Sequence, residues 1–332
     1  MPLKKERLKQ KREMEKLMSK ISFVIPCYGS EHTLKDVVNE IENTVEEENQ
    51  KCKRWDYEII LVNDYSPDNV WNVIENLCEC NSRIKGIKLA KNFGQHSALM
   101  AGYNCSTGDY VITLDDDGQT PANQAFRLIN KLEEGYDVVY GYYPERKDNG
   151  FRKMGTALNN FMSEKIIGKP KDVHLTSYFA ARKLVIDEII KYRNPYPYIW
   201  GLVVRTTKNI ANVEIDHKAR KDGASGYTLG KLINLWLNGF TAFSVKPLRI
   251  ASIVGMGSAV LGAFLLIYTI VMKFVDPNMV AGYTSLMSVI LFVCGMIMIM
   301  LGLIGEYVGR IYICLNESPQ FVIRETLNVE KD

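Results

Sequence analysis

Histidine is scarce in this chain: four occur among 332 residues, His32, His96, His174 and His217, with no spacing that would place two on one metal. An imidazole-based zinc centre is thereby excluded, and the histidines read as structural, with His174 alone a candidate for a place near an acceptor. The seven cysteines carry no pattern either. Cys78-Glu79-Cys80 is too tight for a zinc knuckle, and no second pair supports it. An odd, scattered set fits reduced thiols in the cytosol. No Gly-x-Gly-x-x-Gly follows the first apolar strand, where the chain reads Pro26-Cys27-Tyr28-Gly29-Ser30-Glu31, and no Walker-type lysine loop occurs. Dinucleotide-dependent and P-loop chemistry are therefore disfavoured. A formal charge of +3 is too small to argue for a nucleic-acid partner. There is no internal repeat.

What the chain does have is a concentrated acidic turn. Residues 111–119 read Val-Ile-Thr-Leu and then Asp115-Asp116-Asp117-Gly118-Gln119. Carboxylates crowded at the mouth of a strand repel one another and are tolerated best around a cation. The spacing Asp115-x-Asp117-x-Gln119 offers oxygen ligands, which suit Mg2+ or Mn2+. Magnesium is held by one or two carboxylates together with substrate phosphates, so the segment points to a metal-bound nucleoside diphosphate. The plainer reading is a polar turn that closes a strand.

From Ile21 onward, strands and helices alternate. Apolar strands are expected at Ile21–Pro26, Tyr57–Val62, Ile84–Ala90, Tyr110–Leu114 and Tyr136–Gly141. Helical patterns fall at Thr33–Glu48, Asp68–Cys80, Gln95–Cys105 and Ala122–Glu134. This rhythm implies an α/β domain with a mostly parallel, Rossmann-like sheet covered on both faces. Ligands in such sheets bind beyond the carboxyl ends of the strands. Tyr28, Glu31, Asp64 and the Asp115–Gln119 turn all fall there.

Both ends of the chain change character. Residues 1–20 form a basic arm, with Lys4-Lys5 and Lys11-Arg12 between Leu and Met, suited to an anionic membrane surface or to a solvated terminus. Two apolar runs at about 250–272 and 284–304 are each long enough to cross a bilayer, which needs ~20 residues. Lys246, Arg249 and Arg310 flank the pair, whereas the turn at Asp276-Pro277-Asn278 is nearly free of basic residues. Positive flanks stay in the cytoplasm, so the large domain and both termini are expected there, at the cell membrane. The expected organisation is a basic arm (1–20), a catalytic domain (21–226), an interfacial helix (227–249), a transmembrane hairpin (250–310) and a cytoplasmic tail (311–332). Two stripes suit a membrane interface or an ordinary core face. One contains Phe151, Met154, Leu158, Phe161, Met162 and Ile166, the other Leu232, Leu235, Trp236 and Phe240.

Together these residues resemble family 2 glycosyltransferases of the GT-A fold, and among them the polyprenyl-phosphate glycosyltransferases with C-terminal membrane helices. The resemblance runs from about Ile21 to Pro319. It is carried by Pro26-Cys27-Tyr28, Val62-Asn63-Asp64, Asn92-Phe93-Gly94, Asp115-Asp116-Asp117-Gly118-Gln119-Thr120-Pro121, Arg220-Lys221-Asp222-Gly223-Ala224-Ser225 and Gly305-Glu306-Tyr307-Val308-Gly309-Arg310. It implies that Pro26, Tyr28, Glu31, Asp64 and Asp115 hold a nucleoside. It also implies that Asp115, Asp117 and Gln119 handle metal and diphosphate, and that Arg146, Arg152, Arg220 and Ser225 meet a lipid phosphate. Asp115, Asp117 and Arg220 would carry the catalysis. The chain departs from the family where Tyr65 replaces glycine, Gly29 replaces asparagine and Asp116 replaces alanine.

The implied reaction is inverting transfer of a sugar from a nucleotide sugar, a UDP-sugar by resemblance, to polyprenyl (undecaprenyl) phosphate during cell-envelope glycan assembly. A homo-oligomer is a further implication. Two other readings are a processive polysaccharide synthase, disfavoured because no Gln-x-x-Arg-Trp occurs, and a non-catalytic nucleotide-sugar-binding protein.

Overall fold

The computed structural model describes residues 18–52, 54–143, 173–216, 246–275 and 282–329. Among these, the chain forms two compact units. One comprises Met1–Tyr227 together with Pro319–Asp332, the other Thr228–Ser318.

The larger unit is built on the expected alternation. Its elements are β1 (Ser19–Cys27), α1 (Leu34–Cys52), β2 (Trp55–Asn63), α2 (Val70–Cys80), β3 (Ile84–Leu89), α3 (Gln95–Asn104), β4 (Tyr110–Thr113), α4 (Ala125–Glu133) and β5 (Val138–Tyr142). A short 3-10 turn at Ala122–Gln124 precedes α4. Then come β6 (Phe179–Arg182), α5 (Lys183–Ile189), α6 (Ile199–Thr206), β7 (Ile210–Glu214) and, from the far end of the chain, β8 (Ile323–Leu327). The sheet runs β7-β5-β6-β4-β1-β2-β3-β8. Strands β1 to β4 pair in parallel, whereas β6 and β8 are antiparallel to their neighbours.

Side-chain alternation decides which face each strand residue serves. Ile21, Phe23, Ile25 and Cys27 of β1 join a core cluster with Leu34, Val37, Val38 and Ile41 of α1, at i, i+3, i+4 and i+7 spacing. Val24 faces the other way, against α3. A Cβ on Gly102 of α3 would collide with Val24 and press on Val62, so only glycine lets this helix approach the sheet so closely. The chain runs from β1 outward through β2 and β3 on one side, then crosses back to β4 on the other side of β1. The strand order thus reverses beside β1 and opens a crevice at the carboxyl ends of the strands.

The amino ends of the same strands hold a buried ion cluster. Glu58 of β2 is 2% exposed and meets Lys85 Nζ at 2.8 Å and Lys20 Nζ at 2.9 Å. The Ser22 hydroxyl and the Thr107 amide each donate to its Oε1 at 2.6 Å. Burial alone would raise this carboxyl, but bonds from Lys85, Ser22, Lys20 and Thr107 outweigh it and hold it down at about 2.

The smaller unit holds α7 (Lys246–Val275) and α8 (Tyr283–Leu315), which pack on one another. The Ser258 hydroxyl lies 3.6 Å from the Met296 sulfur. Among the described residues, one helical stretch is long and apolar enough to cross a membrane, Phe292–Leu315, with mean hydropathy 1.9. Both expected runs are helical, and α8 continues well past residue 304.

The tail departs from its expected place. Residues 319–329 are no separate segment, because β8 pairs with β3 in the register Gly86 to Leu327. The Asn328 side-chain amide donates to the carbonyls of Cys78 and Ile84, and that of Gln320 to those of Tyr192 and Asn194. The expected interfacial helix up to residue 245, the first seventeen residues, the Asp276 turn and the stripe beginning at Phe151 lie outside the described residues, and residues 246–249 begin α7.

Candidate functional site

The crevice at the strand ends is an open cleft of about 780 Å³. Pro26 and Tyr28 from the end of β1, Asp64 from the end of β2, Asp115, Asp116 and Asp117 from the end of β4, and Trp200 of α6 line it. Of the expected nucleoside-binding residues, Pro26, Tyr28, Asp64 and Asp115 meet here. Glu31 turns away: its carboxylate accepts the Asn69 amide at 2.8 Å beside the start of α2. Gln119 does not line the cleft; its main-chain N–H donates to Asp117 Oδ1 at 3.0 Å and closes the turn. Arg146, Arg152, Arg220 and Ser225 lie outside the described residues.

Asp115 is held from two sides. The Ser177 hydroxyl donates to Oδ2, and the Gln95 side-chain amide donates to Oδ1 at 3.0 Å. Burial raises its carboxyl, the Ser177 and Gln95 bonds work against that, and the charge of Asp117 adds to it. Burial pushes Asp116 up to about 6, opposed by the Ser30 hydroxyl and the Tyr28 amide and reinforced by Asp115. Asp64 is also raised by burial, although it accepts from the amides of Phe93 at 2.7 Å and Gly94 at 2.8 Å. Asp64 therefore fixes the loop that opens α3, the helix whose first residue holds Asp115.

Among the described residues, no Lys or Arg forms an ion pair with the three aspartates, and no group of three His, Cys, Asp or Glu side chains converges as a ready-made metal cage. The donor set still fits a hard divalent cation. Two acceptor carboxylates, Asp115 and Asp117, line one cleft, and the charge of Asp117 adds to the cost of ionising Asp115. Mg2+ asks for one or two carboxylates and takes its remaining ligands from phosphate and water.

The sequence patterns missed Gln95, Ser177 and Trp200. Gln95 follows directly on Asn92-Phe93-Gly94, so that motif was the available signal. Ser177 and Trp200 belong to segments without a motif. The Trp200 indole donates to the Thr176 carbonyl at 2.9 Å and stacks edge-on against His96, with ring centroids 5.2 Å apart. Burial lowers His96 to about 4, so its ring is neutral at physiological pH, in keeping with a structural role.

Tyr65 sits on the neighbouring loop with φ +54, in the left-handed region that favours glycine. The Asn63 side chain accepts the Ser66 amide at 2.8 Å and pins this turn.

Known proteins carry the same two parts. Residues 22–190 match the family described as "Glycosyl transferase family 2", and residues 246–311 match "GtrB C-terminal hairpin". The undecaprenyl-phosphate 4-deoxy-4-formamido-L-arabinose transferase of Proteus mirabilis is 34% identical over 319 residues, covering 95% of this chain and 96% of that protein. The transferase of the same name from Yersinia enterocolitica is 33% identical over 324 residues, covering 96% and 97%. In fold, the larger unit resembles mannosyl-3-phosphoglycerate synthase from Rubrobacter xylanophilus, with TM-score 0.51, 16% identity, and coverage of 69% of this chain and 73% of that one. A GT-A sheet with an acidic turn at its switch point, joined to that hairpin, places this chain in glycosyl transferase family 2.

Proposed function

We propose that the protein transfers a sugar from a nucleotide sugar to undecaprenyl phosphate at the cytoplasmic face of the cell membrane, with inversion at the anomeric carbon. The observation that carries this reading is the likeness, over 95% of the chain, to transferases named for undecaprenyl phosphate. The cleft supplies the chemistry. Asp115 and Asp117 would hold Mg2+ or Mn2+, which when bound offsets the charge growing on the departing nucleoside diphosphate. Ser177 and Gln95 keep Asp115 aimed into the cleft, and Tyr28 and Pro26 form the wall beside it. The acceptor phosphate is already an anion near pH 7, so it needs orientation by cations more than removal of a proton. Arg220, with Arg146, Arg152 and Ser225, is proposed for that task, since a guanidinium fork matches phosphate. The hairpin would anchor the enzyme where its lipid acceptor lies, with both termini cytoplasmic.

The test is a screen of nucleotide sugars against undecaprenyl phosphate with the purified full-length protein and Mg2+, read by mass spectrometry of the lipid. A glycosylated undecaprenyl phosphate is expected. It should fall by orders of magnitude in Asp117→Asn and in excess chelator. Equal transfer to a free alcohol or a growing glycan would defeat the acceptor assignment, and full activity in chelator would defeat the metal.

A further inference from the structure

Asp116 stands between the two proposed metal ligands, where the resembling family carries alanine. Its contacts run to the neighbouring loop that follows β1. The carboxylate Oδ2 accepts the Tyr28 amide at 2.9 Å, and the main-chain carbonyl accepts the Thr33 hydroxyl at 2.7 Å. These two bonds grip both ends of residues 28–33, the loop between β1 and α1. The middle of the loop is tied elsewhere: the Gly29 amide donates to Ser66 Oγ at 2.8 Å, and that hydroxyl donates to Asp68. Gly29 has φ +75, a turn that only an unhindered residue adopts easily. Tyr28 is 56% exposed, and Tyr28, Gly29, Ser30, His32 and Thr33 all line the cleft. The ring therefore has little packing to hold it. Its place is set by what fastens its backbone.

We propose that Asp116 is a positioning residue for donor binding, which clamps the 28–33 loop so that the Tyr28 wall is in place before the nucleoside diphosphate arrives. The proposal rests on the donor reading above. A loop ordered in advance does not have to be ordered by the ligand, and that saving appears as affinity. Asparagine at 116 keeps an oxygen to accept the Tyr28 amide. Alanine keeps only the carbonyl bond to Thr33.

The experiment titrates UDP and GDP, each with Mg2+, into the full-length protein in detergent by calorimetry, and measures donor KM and kcat with undecaprenyl phosphate. Asp116→Ala should weaken binding of the preferred diphosphate and raise donor KM by about tenfold, the factor carried by one charge-assisted hydrogen bond. Its kcat should stay within about twofold of wild type, since a clamp that acts on binding leaves the bound complex unchanged. Asp116→Asn should recover most of the loss. Because Asp116 acts through Tyr28, adding Asp116→Ala to Tyr28→Ala should cost little more than Tyr28→Ala alone. Additive losses, a fall in kcat with unchanged KM, or an Asp116→Ala variant that binds like wild type would each overturn the proposal. A wild-type protein that binds neither diphosphate would instead overturn the donor reading, and the proposal with it.

Discussion

At the amino ends of the parallel strands, Glu58 is sealed from water and met by two lysines, a hydroxyl and an amide. At the carboxyl ends, Asp115 and Asp116 are held by a few neutral donors, and among the described residues no basic side chain reaches them. Burial is shared, yet the first carboxyl is pulled down and the other two are raised. A buried charge that is fully paired belongs to the architecture, whereas one left wanting a cation marks where a ligand adds what is missing.

Neutralising each end separates the two roles. Asp115→Asn should lower kcat by about 10²- to 10³-fold, the scale for removing one preorganised electrostatic group. It should also raise thermal stability in metal-free buffer, because the folded state no longer holds a penalised charge. Melting followed beside turnover checks both, and a loss of stability together with activity would break the contrast. Glu58→Gln should do the reverse, lowering unfolding stability by roughly 3 kcal/mol with the kinetics of the folded enzyme intact. Urea unfolding followed by tryptophan fluorescence measures it.

Acid sharpens the same distinction. The Glu58 carboxyl has a folded value of about 2, below its ordinary 4.5. Its stabilisation is therefore complete above pH 4.5 and is lost as pH falls from there toward 2. Wild-type stability should drop through that window, and Glu58→Gln should flatten the drop. The smallest effect belongs to the cleft end. Tyr65→Asn, which accepts a positive φ more readily, should add about 0.5 kcal/mol, read in the same unfolding experiment.

Much of this was legible in the chain. Strands β1, β2 and β4 contain apolar runs buried on both faces, such as residues 59–62, that are visible without a partner, and β3 shows Ile84, Ile87 and Leu89 beside its lysines. Asp115 and Asp117 announced themselves by crowding. What stayed hidden depends on pairing or crossover. Phe179–Arg182 is four residues long and becomes a strand by lying between β4 and β5. Ile323–Leu327 reads as polar because it is an exposed edge. Ser177 reaches Asp115 across 62 residues of sequence, a distance no local pattern spans. Glu31 and Gln119 sit near strand ends as expected, but the Glu31 carboxylate is engaged by the Asn69 main-chain amide 38 residues away, and Gln119 is placed by its own main-chain bond to Asp117.

The antiparallel edge strand β8 has a consequence for how the protein is made. The side chain that seals it, Asn328, bonds to Ile84 from 244 residues away, with the whole hairpin unit in between. The hairpin is thus an insertion within the catalytic unit and not an appendage to it. A ribosome delivers the other seven described strands, then the hairpin unit, and after it the strand that covers the exposed edge of β3. Until then that edge is open to other chains. Completion of the sheet therefore waits on synthesis of the whole hairpin unit, so the last pairing step of this fold comes after that unit has been made.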